Sequence, residues 1–402
     1  LKDISNEAIW TKPFFIALIN NFLVFIVFYS LMTVLPVFAV DRLERTETEA
    51  GLMTTMFLVS AIIMRPFAGK IIEALGKKRT LVISVFFFSI STVLYLVATD
   101  FTSLLFLRLF HGIWFSLTTT VLMVIAADIV PDHRKGEGLG YFAMSMNVAV
   151  VAGPFLALGL LSFIDYIELF GVLAAAIFLA FGASFFVKKE ESSAVTVDWK
   201  IKWSDLLELR AMPIAVIGFL TSFAYASIMS FITIYANALD LFDYVGLFFV
   251  VFAVVMIVSR PFTGRLFDSG GPDYVIYPSL FLFAAGLILL SFVQSAVLLL
   301  IAAALIGLGY GALLPAYQTL AIQSAPKSRT SHATSTFFIM YDLGIATGSV
   351  VLGIVSSALG FGGLYITAGI VILAAIMLYR FLRTKKRAGL YTVQAKSRES
   401  SS

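Results

Sequence analysis

The block Arg65-Pro66-Phe67-Ala68-Gly69-Lys70 returns as Arg260-Pro261-Phe262-Thr263-Gly264-Arg265, 195 residues further along the chain. The same offset pairs Gly51 with Gly246, Gly76 with Gly271, Gly112 with Gly307, Pro131 with Pro326, Arg134 with Arg329 and Gly153 with Gly348. An offset that never changes between positions 51 and 153 leaves no room for an insertion, so the chain is two copies of one unit. Any fold it adopts must be built twice.

Composition then decides the solvent. The chain is 60% hydrophobic and 13% charged, against about 25% charged residues in a soluble domain. So much apolar surface cannot be enclosed in one core, and the surroundings must be lipid. Duplicated halves in a membrane chain are the mark of a secondary transporter. With no cysteine, disulfides, thiolate chemistry and Cys-based metal sites are excluded. His111, His133 and His332 have no metal-ligand spacing, so neither a metal nor another cofactor is expected.

A spanning helix needs about 20 mostly apolar residues, and the sequence offers twelve such segments. They run over 13–40, 49–72, 80–98, 103–128, 137–160, 168–187, 212–238, 243–267, 275–293, 296–322, 332–358 and 361–382. The first, Phe14–Val40, is too long for the apolar stretch of a cleaved signal peptide and is expected to stay as a span. The fold class is therefore all-α integral membrane, two pseudo-symmetric bundles of six helices. Residues 1–187 form the first bundle and 212–383 the second. The linker 188–211 carries an amphipathic stretch, Trp203–Arg210, expected along the membrane surface. The tail 384–402 is expected to be disordered.

Lysine and arginine give the orientation. Only Arg65, Arg108 and Arg260 fall within helices, and only Arg42 and Arg45 in the first loop. The remainder lie on the side of the termini, which places both termini in the cytoplasm and the chain in the plasma or inner membrane. Topology accounts for the net charge of +4, so no nucleic-acid partner is needed; the expected partners are a small organic substrate, protons and the bilayer, with the chain a monomer.

The loop after the second span reads Gly69-Lys-Ile-Ile-Glu73-Ala-Leu-Gly76-Lys77-Lys78-Arg79. It resembles the signature loop of the major facilitator superfamily, with Glu73 and Ala74 where that pattern has Asp and Arg. Gly264 through Asp268 is a weaker second copy. The fifth span carries Gly140, Ala149, Gly153 and Pro154, resembling the antiporter motif of the drug:proton exporters in that superfamily, with alanine at two of its glycines. The fourth, Arg108-Leu-Phe-His111-Gly112, resembles a further motif of the family, with His in place of Gln. The resemblance implies the major facilitator fold, transport rather than enzymatic chemistry, and a proton gradient as the energy source.

The residues themselves suggest roles. Gly69, Gly76 and Gly264 permit close helix approach and sharp turns. Glu73 is placed to cap the eleventh helix near Ser331–Thr334, where free amides favour an anion. Lys77 is placed to pair with Asp128. With Asp268, Arg65 and Arg260, these make a latch on the cytoplasmic side. The small face Ser145, Ala149, Gly153, Ala157 allows another helix to approach, and Pro154 can bend the fifth helix.

A charge near the bilayer centre costs at least about 2.5–3.5 kcal/mol on insertion scales, so it faces a partner or a polar cavity. Arg108 and His111 share a helix face, and His111 can change charge near neutrality. Asp342 lies about 15 Å into the eleventh helix and is the one acidic residue expected at that depth. Asp342 is thus the leading proton site, with Arg108 and His111 as a relay. Between the halves, Asn21, Tyr29, Trp114, Asn147, Tyr225, Tyr310, Tyr317 and Gln318 are the candidate cavity residues. A cavity that is aromatic and poor in charge suits amphipathic organic compounds. A single metabolite class (a sugar, an amino acid or a siderophore-like compound) and lipid translocation are the alternatives.

Overall fold

The computed structural model describes residues 9–45, 47–98, 100–187 and 206–399. The first half holds α1 (Lys12–Leu43), α2 (Glu47–Leu75), α3 (Lys77–Leu94), α4 (Phe101–Ile129), α5 (Lys135–Leu161) and α6 (Tyr166–Ser184). The second holds α7 (Met212–Ala238), α8 (Val245–Gly270), α9 (Asp273–Leu290), α10 (Ala296–Ser324) and a helical run Thr330–Glu399. Gly360, at φ 70° and ψ 178°, breaks that run into α11 (330–359) and α12 (361–399). All twelve expected spans are helices, most with ends a few residues from the apolar limits.

Two expectations fare differently. Residues 384–399, the described part of the tail expected to be disordered, are helical and continue α12; Lys, Arg, Ala, Leu and Gln are good helix formers once a helix is already nucleated. Of the expected surface helix at Trp203–Arg210, residues 203–205 lie outside the described residues, and 206–210 end in a turn that leads into α7. Within 206–211, Glu208 accepts from Arg329 Nε at 2.5 Å, and its backbone N–H donates to Thr336 Oγ1 at 2.9 Å. Burial opposes ionisation of Glu208, but the Arg329 guanidinium and the Arg210 N–H outweigh it and hold the carboxyl below its ordinary value.

The constant offset has a physical cause, because each mate meets the same packing problem. Asp100 caps α4 by accepting from Ser103 N at 2.9 Å, and Ser295 caps α10 by accepting from Leu298 N at 3.4 Å. Gly76 (φ 80°) and Gly271 (φ 93°) turn α2 into α3 and α8 into α9. Gly112 lies against the Phe57 carbonyl of α2, and Gly307 against the Phe252 carbonyl of α8. Phe57 and Phe252 are themselves mates, so the α4–α2 crossing is repeated as α10–α8.

Burial is inverted relative to a soluble protein. Phe155 is 76% exposed and Phe262 72%, while Arg108 and His111 are 0% exposed. Among the described residues, ten helical stretches are long and apolar enough to cross a membrane, one of them the doubled run 327–384. The outer surface is made for hydrocarbon, and the polar groups have been drawn inward.

Candidate functional site

The halves are pinned together on the face where the basic loops lie. There α5 packs on α8 and α2 on α11. A Cβ on Gly264 would sit 2.7 Å from the Glu137 Cα, and one on Gly69 3.1 Å from the His332 Cα. Asp268 accepts from the backbone N–H groups of Gly136 (2.8 Å) and Glu137 (2.9 Å) at the start of α5, where free amides and the helix dipole favour an anion. Glu137 in turn accepts from Arg134 at 2.7 Å and Arg265 at 3.2 Å. Lys327 donates to Asp132 at 2.9 Å, again across the halves.

The sequence assigned helix capping to Glu73, yet the two amide bonds are made by its mate Asp268. Glu73 lies beside the first turn of α11, its Oε2 3.8 Å from His332 Nε2. Lys77 does pair with Asp128, but this joins α3 to α4 inside the first half.

Deeper along the same seam, Arg65 of α2 forms an ion pair with Asp342 of α11. Both are largely shielded, with side chains 5% and 16% exposed. Arg65 also reaches Thr120 Oγ1 at 3.5 Å and lies 4.5 Å from the centre of the Phe338 ring. Asp342, the residue expected to carry the proton, is thus one end of a buried contact between the halves. Thr120, Phe338 and Tyr341 were not anticipated. Tyr341 adjoins Asp342 in sequence, and its hydroxyl bonds that of Tyr310, whose ring stacks on Tyr225 at 3.9 Å.

Arg108 and His111 are elsewhere. Arg108 donates to the Met53 carbonyl at 2.9 Å and to Met32 Sδ at 3.2 Å, and lies over the Phe57 ring at 4.2 Å. His111 Nδ1 is 3.2 Å from the Tyr95 hydroxyl. Both point into the first bundle. Arg108 precedes Thr120 by twelve residues on α4, about 18 Å at 1.5 Å per residue, so no direct contact with the Asp342 pair exists.

The remaining candidates divide. Asn21 Nδ2 donates to Ser145 Oγ at 2.8 Å and Ser30 Oγ to the Gly153 carbonyl at 3.0 Å. A Cβ on Gly153 would approach that of Tyr29 to 2.9 Å. The small face of α5, Ala149 included, therefore receives α1. Pro154 sits within α5 without ending it. Trp114 stacks on Phe87 of α3 at 4.4 Å, away from the other half. Tyr317 bonds Thr221 at 3.3 Å. Asn147 Nδ2 and Gln318 Oε1 are buried with no hydrogen-bond partner. Gly140 lines a small cavity beside Arg260.

A family model described as Major Facilitator Superfamily matches residues 17–269 and again 216–400. The chain belongs to the Major Facilitator Superfamily. It is a multi-pass membrane transporter and not an enzyme. Among superfamily relatives, it is 27% identical to the multidrug resistance protein MdtG of Salmonella typhimurium over 398 residues, covering 94% of this chain and 97% of that one. It is 24% identical to the staphylopine export protein of Staphylococcus aureus over 385 residues, covering 89% and 94%. The human organic anion transporter MFSD10 superposes with a TM-score of 0.79 at 15% identity, over 91% of this chain and 98% of that one. The E. coli fucose:proton symporter FucP gives 0.74 at 15%, over 92% and 98%. These structural likenesses establish the fold alone.

Proposed function

We propose that this chain is a proton-coupled exporter of small amphipathic organic compounds. It works as a monomer in the cell membrane by alternating access, with both termini in the cytoplasm. The observation that carries this reading is the Arg65–Asp342 pair, a buried acid–base contact between the two halves. A proton arriving at Asp342 removes the charge that holds Arg65. The pair then no longer stabilises the state closed on the basic face, and the equilibrium shifts toward the opposite one. Proton entry and conformational change are thereby the same event.

The substrate reading rests on the aromatic clusters of the two halves and on the relatives. Mate positions Phe57/Phe252 and Phe115/Tyr310 pack with ring centroids 5.1 Å apart in the first half and 6.4 Å in the second. The second half adds the hydroxyls of Tyr225, Tyr310 and Tyr341. The phenol cluster of Tyr225, Tyr310 and Tyr341, next to the Arg65–Asp342 pair, suits a molecule with an apolar body and a few polar atoms. The similarity to MdtG, named for multidrug resistance, supports export and breadth. The similarity to the staphylopine export protein, with the unpartnered Nδ2 of Asn147 and Oε1 of Gln318, favours the second reading, a dedicated exporter of one metabolite class.

The test uses proteoliposomes with an imposed pH gradient, a panel of lipophilic dyes, antibiotics and small metabolites, and an internal pH indicator. Several unrelated amphipaths should move protons, and Asp342→Asn should abolish gradient-driven transport while leaving the protein folded. A response confined to one metabolite class would select the dedicated exporter. Undiminished gradient-driven transport in Asp342→Asn would remove the coupling assignment.

A further inference from the structure

Arg65 and Arg260 are mates, yet their surroundings differ. Arg65 has the carboxylate of Asp342, the hydroxyl of Thr120 and the ring of Phe338. The positions related to these three by the repeat offset are Asn147, Pro315 and Ala143. An acid has become an amide, a hydroxyl donor–acceptor a proline, and an aromatic face a methyl. The guanidinium itself has been kept. Arg260 is 2% exposed, and its Nε and Nη1 make no hydrogen bond. It has no carboxylate partner among the described residues.

A buried, uncompensated guanidinium is costly, and arginine does not escape the cost by losing its proton. Arg260 lines a cavity at the seam of the halves with Gly136, Gly140, Gly264, Ala312 and Pro315. Thr263, also in the lining, carries its one side-chain acceptor oxygen, and that hydroxyl donates to the Ser259 and Arg260 carbonyls; no carboxylate lines the cavity. Asn147, whose Nδ2 also lacks a partner, stands two turns beyond Gly140 on the same face of α5. The region thus holds a fixed positive charge and three unpartnered donor atoms, Arg260 Nε and Nη1 and Asn147 Nδ2, against one unpartnered neutral acceptor, Gln318 Oε1, a turn beyond Pro315 on α10. The ligand that satisfies such a set is an acceptor-only anion, and a carboxylate fits it best because the guanidinium fork can bond both oxygens.

The position says when that ligand is present. The cavity, about 10 Å³, has room for a single water-sized group. It is shut by the α5–α8 approach at Gly264 and by Asp268 on the start of α5. Parting these helices opens Arg260 toward the basic face, the side from which an exporter takes its load. Bringing them together leaves no space for an anion there.

We infer that Arg260 is the docking group for an anionic end, a carboxylate, of the transported molecule. It is engaged when the basic face is open and vacated when α5 closes on α8. This rests on the exporter reading above and narrows its substrate class to amphipaths that carry an acid.

The test compares two probes that differ in one group, dansylglycine and its neutral amide dansylglycinamide. Uptake into inside-out membrane vesicles is driven by a pH gradient, with ethidium as a cationic control. The wild type should show a KM for dansylglycine lower than that for the amide by about tenfold or more, as one charge-assisted pair provides. In Arg260→Gln the ratio should fall to about one, and in Arg260→Lys part of it should return. A merely structural role would depress both probes together and leave the ratio unchanged, which overturns the proposal. Equal KM values in the wild type, or uptake of ethidium with neither dansyl probe, also overturn it while the exporter reading stands. Uptake of the amide that requires both chloride and Arg260 would assign the site to a free inorganic anion and overturn the substrate role. Failure of all three probes to move under the gradient removes the exporter reading itself.

Discussion

Among single residues, the contrast between the two seam arginines is the most consequential. Arg65 satisfies Asp342, so Arg65→Met strands a buried carboxylate and should cost about 3–5 kcal/mol. The double variant Arg65→Met/Asp342→Asn removes both charges and should recover much of that loss. Thermal unfolding in detergent of the two single variants and the double reads the cycle; additive losses would show that the contact contributes nothing. Asp342 and Arg65 were each visible in the sequence as ionisable groups within apolar segments. Their pairing was not, because periodicity assigns a face on one helix and says nothing about which helix of the other half meets it. The same limit misdirected the reading of Arg108 and His111. Their spacing put them on one face, where they are, but that face turns into the first bundle toward Met53 and Tyr95.

Helices meet across the seam through glycine. The Gly264 position faces backbone, the Glu137 Cα, which cannot swing aside as a side-chain end can. Gly264→Val should therefore hold α5 and α8 apart and populate the state open on the basic face. The chain has no cysteine, so Asp132→Cys with Lys327→Cys gives a clean pair for a reducible bifunctional thiol cross-linker that reports closure. Its cross-linking yield should drop severalfold when Gly264→Val is added, and an unchanged yield would mean that the seam tolerates the extra methyls. Helix existence was legible because hydropathy over about 20 residues is a strong signal. The glycine mates were legible because a close approach leaves only one residue type. Which acid caps a helix was less so: Glu73 carried the fuller motif, whereas the shorter Asp268 makes both amide bonds.

For the whole molecule, closure of the basic face has to be reversible for transport to proceed. Joining the 132–327 cysteine pair with the reducible linker should stop gradient-driven transport, and reduction should restore it; transport that continues through the cross-link would show that the loops need not separate. That pair has a second meaning. Positions 132 and 327 differ by 195, the repeat offset itself, and Lys327 touches Asp132. Two equivalent positions can touch only where the rotation axis relating the copies passes between them. In a dimer of identical chains, whatever stands on that axis confronts its own twin, and an ionised group there is repelled by an equal charge. Joining the two copies covalently lifts that prohibition. The axis can then carry an acid against a base, an attraction that perfect symmetry forbids and that a single continuous chain makes available.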